Sequence, residues 1–188
     1  MYTDALWDAD FKTTPYEHQL REFEEGVENP GRALFWQMRT GKSKQIVDTA
    51  SHLYRRRLID TLIIFAPNGV HQNWVLREVP THVWPSVPVH PLGWQTRLAG
   101  LQGGNRLSKA QTAAWEAAHA EWWLGYDKVV THDGLTVISF NSESMTRPDV
   151  KKAIGKLLRK RRCFVVWDES TDFRTPGSAR SKMSRAIA

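Results

Sequence analysis

Apolar residues follow two spacings along the chain, and each spacing predicts a different kind of element. Continuous apolar runs predict strands that are covered on both faces of a parallel sheet. Runs of this kind cover residues 33–35, 61–67, 136–140 and 163–167, with a shorter strand near 87–90. Apolar residues three and four positions apart predict helices over residues 15–28, 44–54, 70–78, 107–124 and 148–160. Because strands alternate with helices, we expect an α/β domain with a mostly parallel sheet and helices on both faces.

Residues 79–135 form a Trp-rich insert whose structure this pattern does not define. Within it, Ser108 is a good N-cap for the predicted helix and Gly125 a natural end. Five of the nine tryptophans of the chain lie here, at Trp84, Trp94, Trp115, Trp122 and Trp123. Exposed tryptophans can stack on nucleic-acid bases. Tryptophans in an insert more often form a small core of their own, which is the interpretation we favour.

Composition narrows the class of protein. A length of 188 residues suits a single domain, and a formal net charge of +6 favours a polyanionic partner, although most charge runs are merely solvated faces. Cys163 is the single cysteine, so the chain has no disulfide framework and suits a reducing compartment. No apolar segment approaches membrane-spanning length. We therefore expect an intracellular, cytoplasmic protein without a membrane partner.

The eight residues from Trp36 to Ser43 lie between a predicted strand and a predicted helix, as a phosphate-binding loop does. A helix N-terminus presents unpaired N–H groups to an anion. In such a loop Lys42 reaches the β- and γ-phosphates of a nucleotide, and the Ser43 hydroxyl binds Mg²⁺. The general pattern begins with glycine, where this chain has Trp36. The alternative is a helix that starts at Gly41 and binds no ligand.

An acidic pair, Asp168-Glu169, follows the last predicted strand. In a parallel sheet this pair lies on the same edge as the phosphate-binding loop, the edge where open α/β sheets bind ligands. An aspartate there can hold Mg²⁺ through water, and the adjacent glutamate can orient and deprotonate the attacking water. Alone, such a pair is more often a cap or a turn. Together with Gly41-Lys42-Ser43 it favours a nucleoside triphosphatase.

Five motifs in a fixed order carry a more specific resemblance. They are residues 15–19 (PYEHQ), 37–43 (QMRTGKS), 64–74 (IFAPNGVHQNW), 137–141 (VISFN) and 166–176 (VWDESTDFRTP). Over roughly residues 11–185 the chain resembles the first RecA-like lobe of a superfamily 2 helicase of the Snf2 type, most like the compact versions of bacteriophages. The resemblance implies a RecA-like P-loop domain over residues 1–188. It also implies ATP and Mg²⁺ as ligands, and a site of action in an infected bacterial cell.

The same resemblance assigns roles to single residues. Gln19 reads the adenine edge and Tyr16 packs on the base. The loop residues that it implies in nucleotide binding are Met38, Arg39, Thr40, Gly41, Lys42, Ser43 and Lys44. Asp168 is similar to the acid that supports the metal ion beside Ser43, and Glu169 to the catalytic base, while Lys42 stabilises charge on the phosphates. Asn73-Trp74 resembles an Asn-Trp of the family, for which we expect local roles, with Trp74 in the core and Asn73 as a cap.

The resemblance also implies two partners. Loops after the strands at 61–67 and 136–140 look like those that contact the backbone of nucleic acid, most often double-stranded DNA. Their candidate residues are Asn68, Gly69, Ser139, Asn141 and Ser142, which suit phosphate contacts without base specificity. Nothing in the chain resembles the second RecA-like lobe, which supplies arginine fingers in the family. We therefore expect a fragment or an isolated first lobe that works with a second.

Some positions depart from the family pattern. Gln37 and Arg39 replace the acid and the glycine that are most usual in the loop. Ser170-Thr171 stands where many relatives have alanine and histidine. Two other functions stay open beside the motor lobe. One is a nucleotide-binding interaction module without turnover, and the other is a P-loop kinase, which would leave Gln19 and the backbone-contact loops without a role.

Overall fold

Four parallel strands form the sheet at the centre of the computed structural model, which describes residues 6, 8–37, 39–94, 108–169, 175 and 177–187. The strands are β1 (Thr61–Ala66), β2 (Val89–Gly93), β3 (Leu135–Asn141) and β4 (Cys163–Trp167). They lie in the order β2-β3-β1-β4, and every pairing is parallel. Three apolar runs therefore correctly predicted β1, β3 and β4 in one parallel sheet, and the short strand expected near residues 87–90 is β2, which begins two residues later.

Helices cover both faces of this sheet. They are α1 (Glu17–Glu28), α2 (Lys42–Arg55), α3 (His71–Asn73), α4 (Val79–His82), α5 (Lys109–Thr131), α6 (Pro148–Lys160) and α7 (Ala179–Ile187). A π-helical turn (Trp74–Glu78) joins α3 to α4, and a 3₁₀ turn (Ser142–Ser144) follows β3. The α/β class with helices on both sides of a parallel sheet is thus confirmed.

The core consists of two layers because successive side chains of a strand point to opposite faces. On one face, Leu62 and Ile64 of β1 pack in a cluster with Phe23 of α1 and Val47 of α2. On the other face, Ile63 and Phe65 pack with residues of α5 and α6. The three central aromatic rings lie in register across the sheet, with Phe65 5.8 Å from Phe140 and 6.2 Å from Trp167. This rigid platform holds the loops at the carboxyl ends of the strands.

The predicted strand at 33–35 is wrong. Residues 32–37 have no regular structure, and Phe35 is 93% exposed. None of the described strands pairs with this segment, and β4 forms an edge of the described sheet. A three-residue apolar run buries too little surface to offset the cost of ordering a strand without a hydrogen-bonded neighbour.

The described part of the insert belongs to the main fold. β2 pairs with β3, and the tryptophans Trp84, Trp94 and Trp122 are buried within the two core clusters. Ser108 caps α5 as predicted, since its hydroxyl accepts a hydrogen bond from the Gln111 N–H at 3.2 Å. The predicted end at Gly125 is wrong, because α5 continues to Thr131. Residues 95–107, Met38 and Ser170-Thr171 lie outside the described residues.

Among the described residues, no helix is both long enough and apolar enough to cross a membrane.

Candidate functional site

The loop before α2 has an unusual backbone. Gly41 caps the helix with φ of 87°, and Arg39 has φ of 63°. Glycine adopts this left-handed region freely, whereas a residue with a Cβ pays about 1–2 kcal/mol. Arg39 thus occupies a position that suits glycine, the residue most usual there in the proteins that the sequence resembles. Strain of this kind clusters at functional sites.

Lys42 lies over this loop and is held by main-chain oxygens. Its Nζ donates to the carbonyl of Trp36 at 2.9 Å and to that of Gln37 at 3.0 Å. The hydroxyl of Thr40 donates to the same Gln37 carbonyl at 2.7 Å. A phosphate would offer the ammonium a charged acceptor, and charge-assisted hydrogen bonds are about twice as strong as neutral ones. The first N–H groups of α2, which no helical carbonyl can satisfy, lie beside this ammonium.

Gln19 connects α1 to the loop before α2 by a hydrogen bond. Its Nε2 donates to the Thr40 carbonyl at 3.2 Å, and its Oε1 accepts from the Tyr16 N–H at 2.9 Å. A Cβ at Gly41 would lie only 2.1 Å from this Nε2, so the close approach requires glycine. The side chain is buried, and both ends of its amide have partners within the protein. Its predicted contact with adenine would therefore require the amide to exchange one of these hydrogen bonds.

Aromatic rings stand beside the loop. Tyr16 is 71% exposed and stacks on His18 with ring centroids 5.9 Å apart and planes at 11°. His18 in turn meets Trp36 edge to face at 5.0 Å, and its ring also lies 3.1 Å from the Thr40 carbonyl through Nε2. An exposed ring next to this loop is a suitable surface for a base. The position of Tyr16 is compatible with its predicted role.

The side chain of Lys44 is not available to a nucleotide, which limits its predicted role to the main chain. Lys44 is 5% exposed and Asp48 1% exposed, and their Nζ and Oδ2 atoms lie 2.5 Å apart. The other carboxylate oxygen of Asp48 accepts from the Trp84 indole N–H at 2.9 Å. Burial raises the pKa of Asp48, and the hydrogen bonds and charge of these partners partly counteract it. Only the main-chain N–H of Lys44 can face a phosphate.

Asp168 lies where β4 ends, as the sequence predicted. Its N–H donates to the Phe65 carbonyl at 2.8 Å, and its Oδ2 accepts from the Trp74 indole N–H at 2.9 Å. The predicted core position of Trp74 is confirmed, but its hold on Asp168 was missed. The available signal was chemical, because a buried indole N–H usually finds an acceptor. Asn73 is exposed and makes no side-chain cap, so its predicted capping role is wrong.

Glu78 joins the two halves of the site and was not foreseen. Burial raises its pKa most, a hydrogen bond with the Ser43 side chain lowers it, and the negative charge of Asp168 raises it further. Glu78 is thus affected electrostatically by both Ser43 at the start of α2 and Asp168 at the end of β4. Glu78 ends the π-helical turn that Trp74 begins, and such turns are frequent at functional sites.

These oxygens fit Mg²⁺ in type and number. Mg²⁺ usually takes one or two carboxylates and completes its shell with water and substrate phosphates. Ser43, Glu78 and Asp168 supply a hydroxyl and two carboxylates. The described residues contain no group of three or more acidic, histidine or cysteine side chains arranged for a metal ion. Any Mg²⁺ here would consequently depend on phosphate oxygens as well.

Glu169 follows Asp168 and is exposed, with φ of 57°. A residue other than glycine is uncommon in this left-handed region. The turn places the Glu169 carboxylate outside the core, beside the site that Asp168 and Ser43 define. Its accessibility to water is compatible with the predicted base, and the strain marks the position as one that the surrounding structure enforces.

The predicted nucleic-acid residues divide into two groups. Asn68 and Gly69 are exposed after β1, and Gly69 has φ of 84°. Ser139 and Ser142 are fully buried, so neither hydroxyl is accessible in this structure, and their contacts with nucleic acid stay a prediction. Their positions follow from the sheet, because both faces of β3 are covered. Asn141 is 5% exposed and lies between these groups.

Glu143 connects the two loops and was also missed. Its Oε1 accepts from the Asn68 main-chain N–H at 3.4 Å, and its Oε2 accepts from Asn141 Nδ2 at 3.2 Å. An acidic side chain thus occupies donors that were expected to meet phosphate. Three nearby polar atoms are buried without a partner in the described residues, namely Ser139 Oγ, Asn141 Oδ1 and Ser142 Oγ.

Comparison with known proteins gives no independent assignment. Neither family models nor curated protein sequences match this chain.

Proposed function

We propose that this chain is the ATP-binding motor lobe of a Snf2-type DNA helicase or translocase, with a RecA-like fold. The observation that carries the proposal is the position of Lys42, whose ammonium folds back over the loop before α2 onto the carbonyls of Trp36 and Gln37. ATP hydrolysis also requires acidic residues, and Asp168 supplies a carboxylate where β4 ends. Glu78, which is affected electrostatically by both Ser43 and Asp168, supports the same assignment.

In the proposed mechanism Lys42 exchanges the carbonyls of Trp36 and Gln37 for the β- and γ-phosphates of ATP. The N–H groups at the start of α2 bind the same phosphates. Tyr16 supplies a ring for the base. Ser43 and Asp168 would hold Mg²⁺, which would offset charge on the phosphates when bound. Trp74 fixes one oxygen of Asp168, so that the other oxygen stays directed at the site.

Hydrolysis in this proposal begins at Glu169, which accepts a proton from the attacking water as the water oxygen bonds to the γ-phosphorus. The bond from the γ-phosphorus to the bridging oxygen breaks, and ADP leaves with that oxygen. Charge then develops on the γ-phosphate oxygens, where Lys42 stabilises part of it. An arginine finger supplies the rest in related chemistry and is worth about 10³–10⁵ in rate. We propose that a second RecA-like lobe provides it. The 188-residue chain alone should then bind ATP weakly and turn it over slowly, with or without DNA.

Duplex DNA is the proposed partner because the chain has a formal net charge of +6 and an open loop at Asn68 and Gly69. Contacts at such a loop are made to phosphates and carry no sequence information. Affinity should consequently fall steeply as salt rises. Nearly constant affinity from low to high salt would indicate a different class of partner.

The test of the nucleotide site is calorimetric titration with ATP and Mg²⁺. Lys42→Ala should lower ATP affinity at least about tenfold, since a charge-assisted hydrogen bond contributes about 1.5–3 kcal/mol. Lys151→Ala is the matched control, because Lys151 is exposed on α6 and should leave the affinity unchanged. Equal affinity of wild type and Lys42→Ala would overturn the phosphate site. Binding that never leads to turnover, even with a second lobe and DNA, would favour the interaction module.

A further inference from the structure

We propose that Glu143 occupies a backbone-phosphate position of the DNA site and competes with DNA for it. The inference rests on the proposed function, because it concerns the loops at which that function places DNA. It adds a residue that limits affinity from within the site. A carboxylate resembles a phosphate in presenting two anionic oxygens to the same N–H donors.

Two donors from adjacent strands define the position. Asn68 follows β1, Asn141 ends β3, and the two strands pair in register up to Ala66 and Asn141. One carboxylate spans both, with Oε1 3.4 Å from the Asn68 nitrogen and Oε2 3.2 Å from Asn141 Nδ2. A main-chain N–H and a side-chain amide are common phosphate donors in DNA complexes. Glu143 thus holds the donors that a phosphate would need.

The contact between Glu143 and its two donors is weak enough for a phosphate to replace the carboxylate. Both distances lie at or beyond the long end of the usual hydrogen-bond range, so each bond is weak. Glu143 itself is exposed on a 3₁₀ turn, and its side chain can therefore rotate into water. Next to Asn68, a Cβ placed on Gly69 would meet nothing within 4 Å, which leaves room for a phosphate to approach.

Asn141 gives independent support. Its side chain is 95% buried and its Oδ1 has no partner in the described structure, while its Nδ2 meets only Glu143. A buried amide with half of its capacity unused is costly unless a ligand or water completes it. The neighbouring Ser142 hydroxyl is likewise buried without a partner. The Asn141 amide is thus held in place while its single described partner is a displaceable carboxylate.

Glu143→Gln should therefore raise affinity for duplex DNA. Glutamine keeps only one acceptor oxygen, so it can satisfy at most one of the two donors, and it removes the negative charge that repels a phosphate. We expect a gain of about two- to tenfold, the range that one net hydrogen bond supplies. Glu116→Gln is the matched control, because Glu116 is exposed on α5 and the substitution changes the net charge equally.

The experiment is fluorescence anisotropy of a labelled DNA duplex at low ionic strength, with the full chain. It uses wild type, Glu143→Gln, Glu116→Gln, Asn141→Ala and the double variant Asn141→Ala with Glu143→Gln. Thermal unfolding midpoints identify any variant that is not folded at the assay temperature. If Glu143 acts by occupying the Asn141 amide, the gain in the Asn141→Ala background should be much smaller than in wild type.

Three results would overturn the inference and leave the proposed function intact. They are equal affinity of wild type and Glu143→Gln, an equal gain in Glu116→Gln, and a full gain in the Asn141→Ala background. A chain that binds no duplex in any of these forms would instead overturn DNA as the partner, and the role of Glu143 with it. A gain that is confined to Glu143→Gln and lost with Asn141 supports both.

Discussion

Lys42 and Lys44 are two positions apart on α2 and should respond to substitution in opposite ways. Lys42 meets loop carbonyls at the surface of the site, whereas Lys44 pairs with Asp48 inside the core. We predict that Lys44→Met lowers the free energy of unfolding and leaves ATP affinity unchanged wherever the protein is folded. Lys42→Met should lower ATP affinity and leave stability nearly unchanged.

The magnitude follows from the burial of the pair. Unit charges about 3 Å apart attract by about 5 kcal/mol at an effective dielectric constant of about 20. Most of that attraction offsets the lost hydration of Lys44 and Asp48, so the intact pair adds little. Removing Lys44 alone leaves the Asp48 carboxylate with the Trp84 N–H as its remaining described donor. Breaking a buried pair in this way costs about 3–5 kcal/mol.

The pH dependence has a definite sign. Burial raises the pKa of Asp48 in the folded protein, so the folded state binds more protons than the unfolded state above the unfolded pKa of 3.8. The contribution of Asp48 to the free energy of unfolding therefore falls as the pH rises from 3.8 through the folded pKa of this group. Without Lys44 the folded pKa rises further. The stability difference between wild type and Lys44→Met should thus narrow as the pH falls from 7 toward 5.

Urea denaturation followed by tryptophan fluorescence measures these changes at each pH. Lys151→Met on the exposed face of α6 is the control and should change stability by less than about 0.5 kcal/mol. The double variant of Lys44→Met with Asp48→Leu should recover much of the loss, because no buried charge remains. A loss below about 1 kcal/mol for Lys44→Met, or a loss of ATP affinity at full stability, would refute the reasoning.

Three further predictions test other parts of the chain. Gly41→Ala should lower the free energy of unfolding in urea by at least about 1–2 kcal/mol, because φ is 87° there and the new Cβ would clash with Gln19. Gly31→Ala is the control and should be neutral, since a Cβ there meets nothing within 4 Å. Glu169→Gln should bind ATP as wild type does in calorimetry but should abolish DNA-stimulated phosphate release when the protein is joined to a second lobe. An unchanged rate of phosphate release would exclude Glu169 as the base. Burial raises the pKa of Cys163 to about 12, so iodoacetamide should label this thiol at neutral pH only as urea unfolds the chain. Rapid labelling of the folded protein would contradict this burial.

The sequence predicted the sheet because its signal is local. The run at 61–67 is apolar at nearly every position and forms β1 (Thr61–Ala66), which is buried on both faces. At 33–35 the same signal failed, since strand formation also needs a neighbour that hydrogen-bonds to it. Gly125 failed as a helix end for a similar reason, because α5 packs there against Leu92 of β2. A local pattern contains neither the partner strand nor the packed neighbour.

Prediction of the candidate site was likewise limited, because some of its side chains are brought there by contacts between distant segments. The edge on which Lys42 and Asp168 lie follows from parallel strands, but Glu78 and Glu143 reach it through contacts between distant segments. No local pattern marks either acid. Lys44 is different, because Asp48 lies four residues further on the same helix face as the buried Ser51. That helical spacing places the two side chains side by side, but only the structure shows that the pair is buried.

The π-helical turn between α3 and α4 has a consequence for how the gene can change. A π turn holds one residue more than the α-helical turn that would replace it. Deletion of one codon within Trp74–Glu78 would thus relax the turn to an α-helix and keep the elements on both sides in place. In an ordinary helix the same deletion would rotate every later side chain by about 100°. We therefore expect this segment to tolerate the deletion of one residue during evolution without loss of the fold.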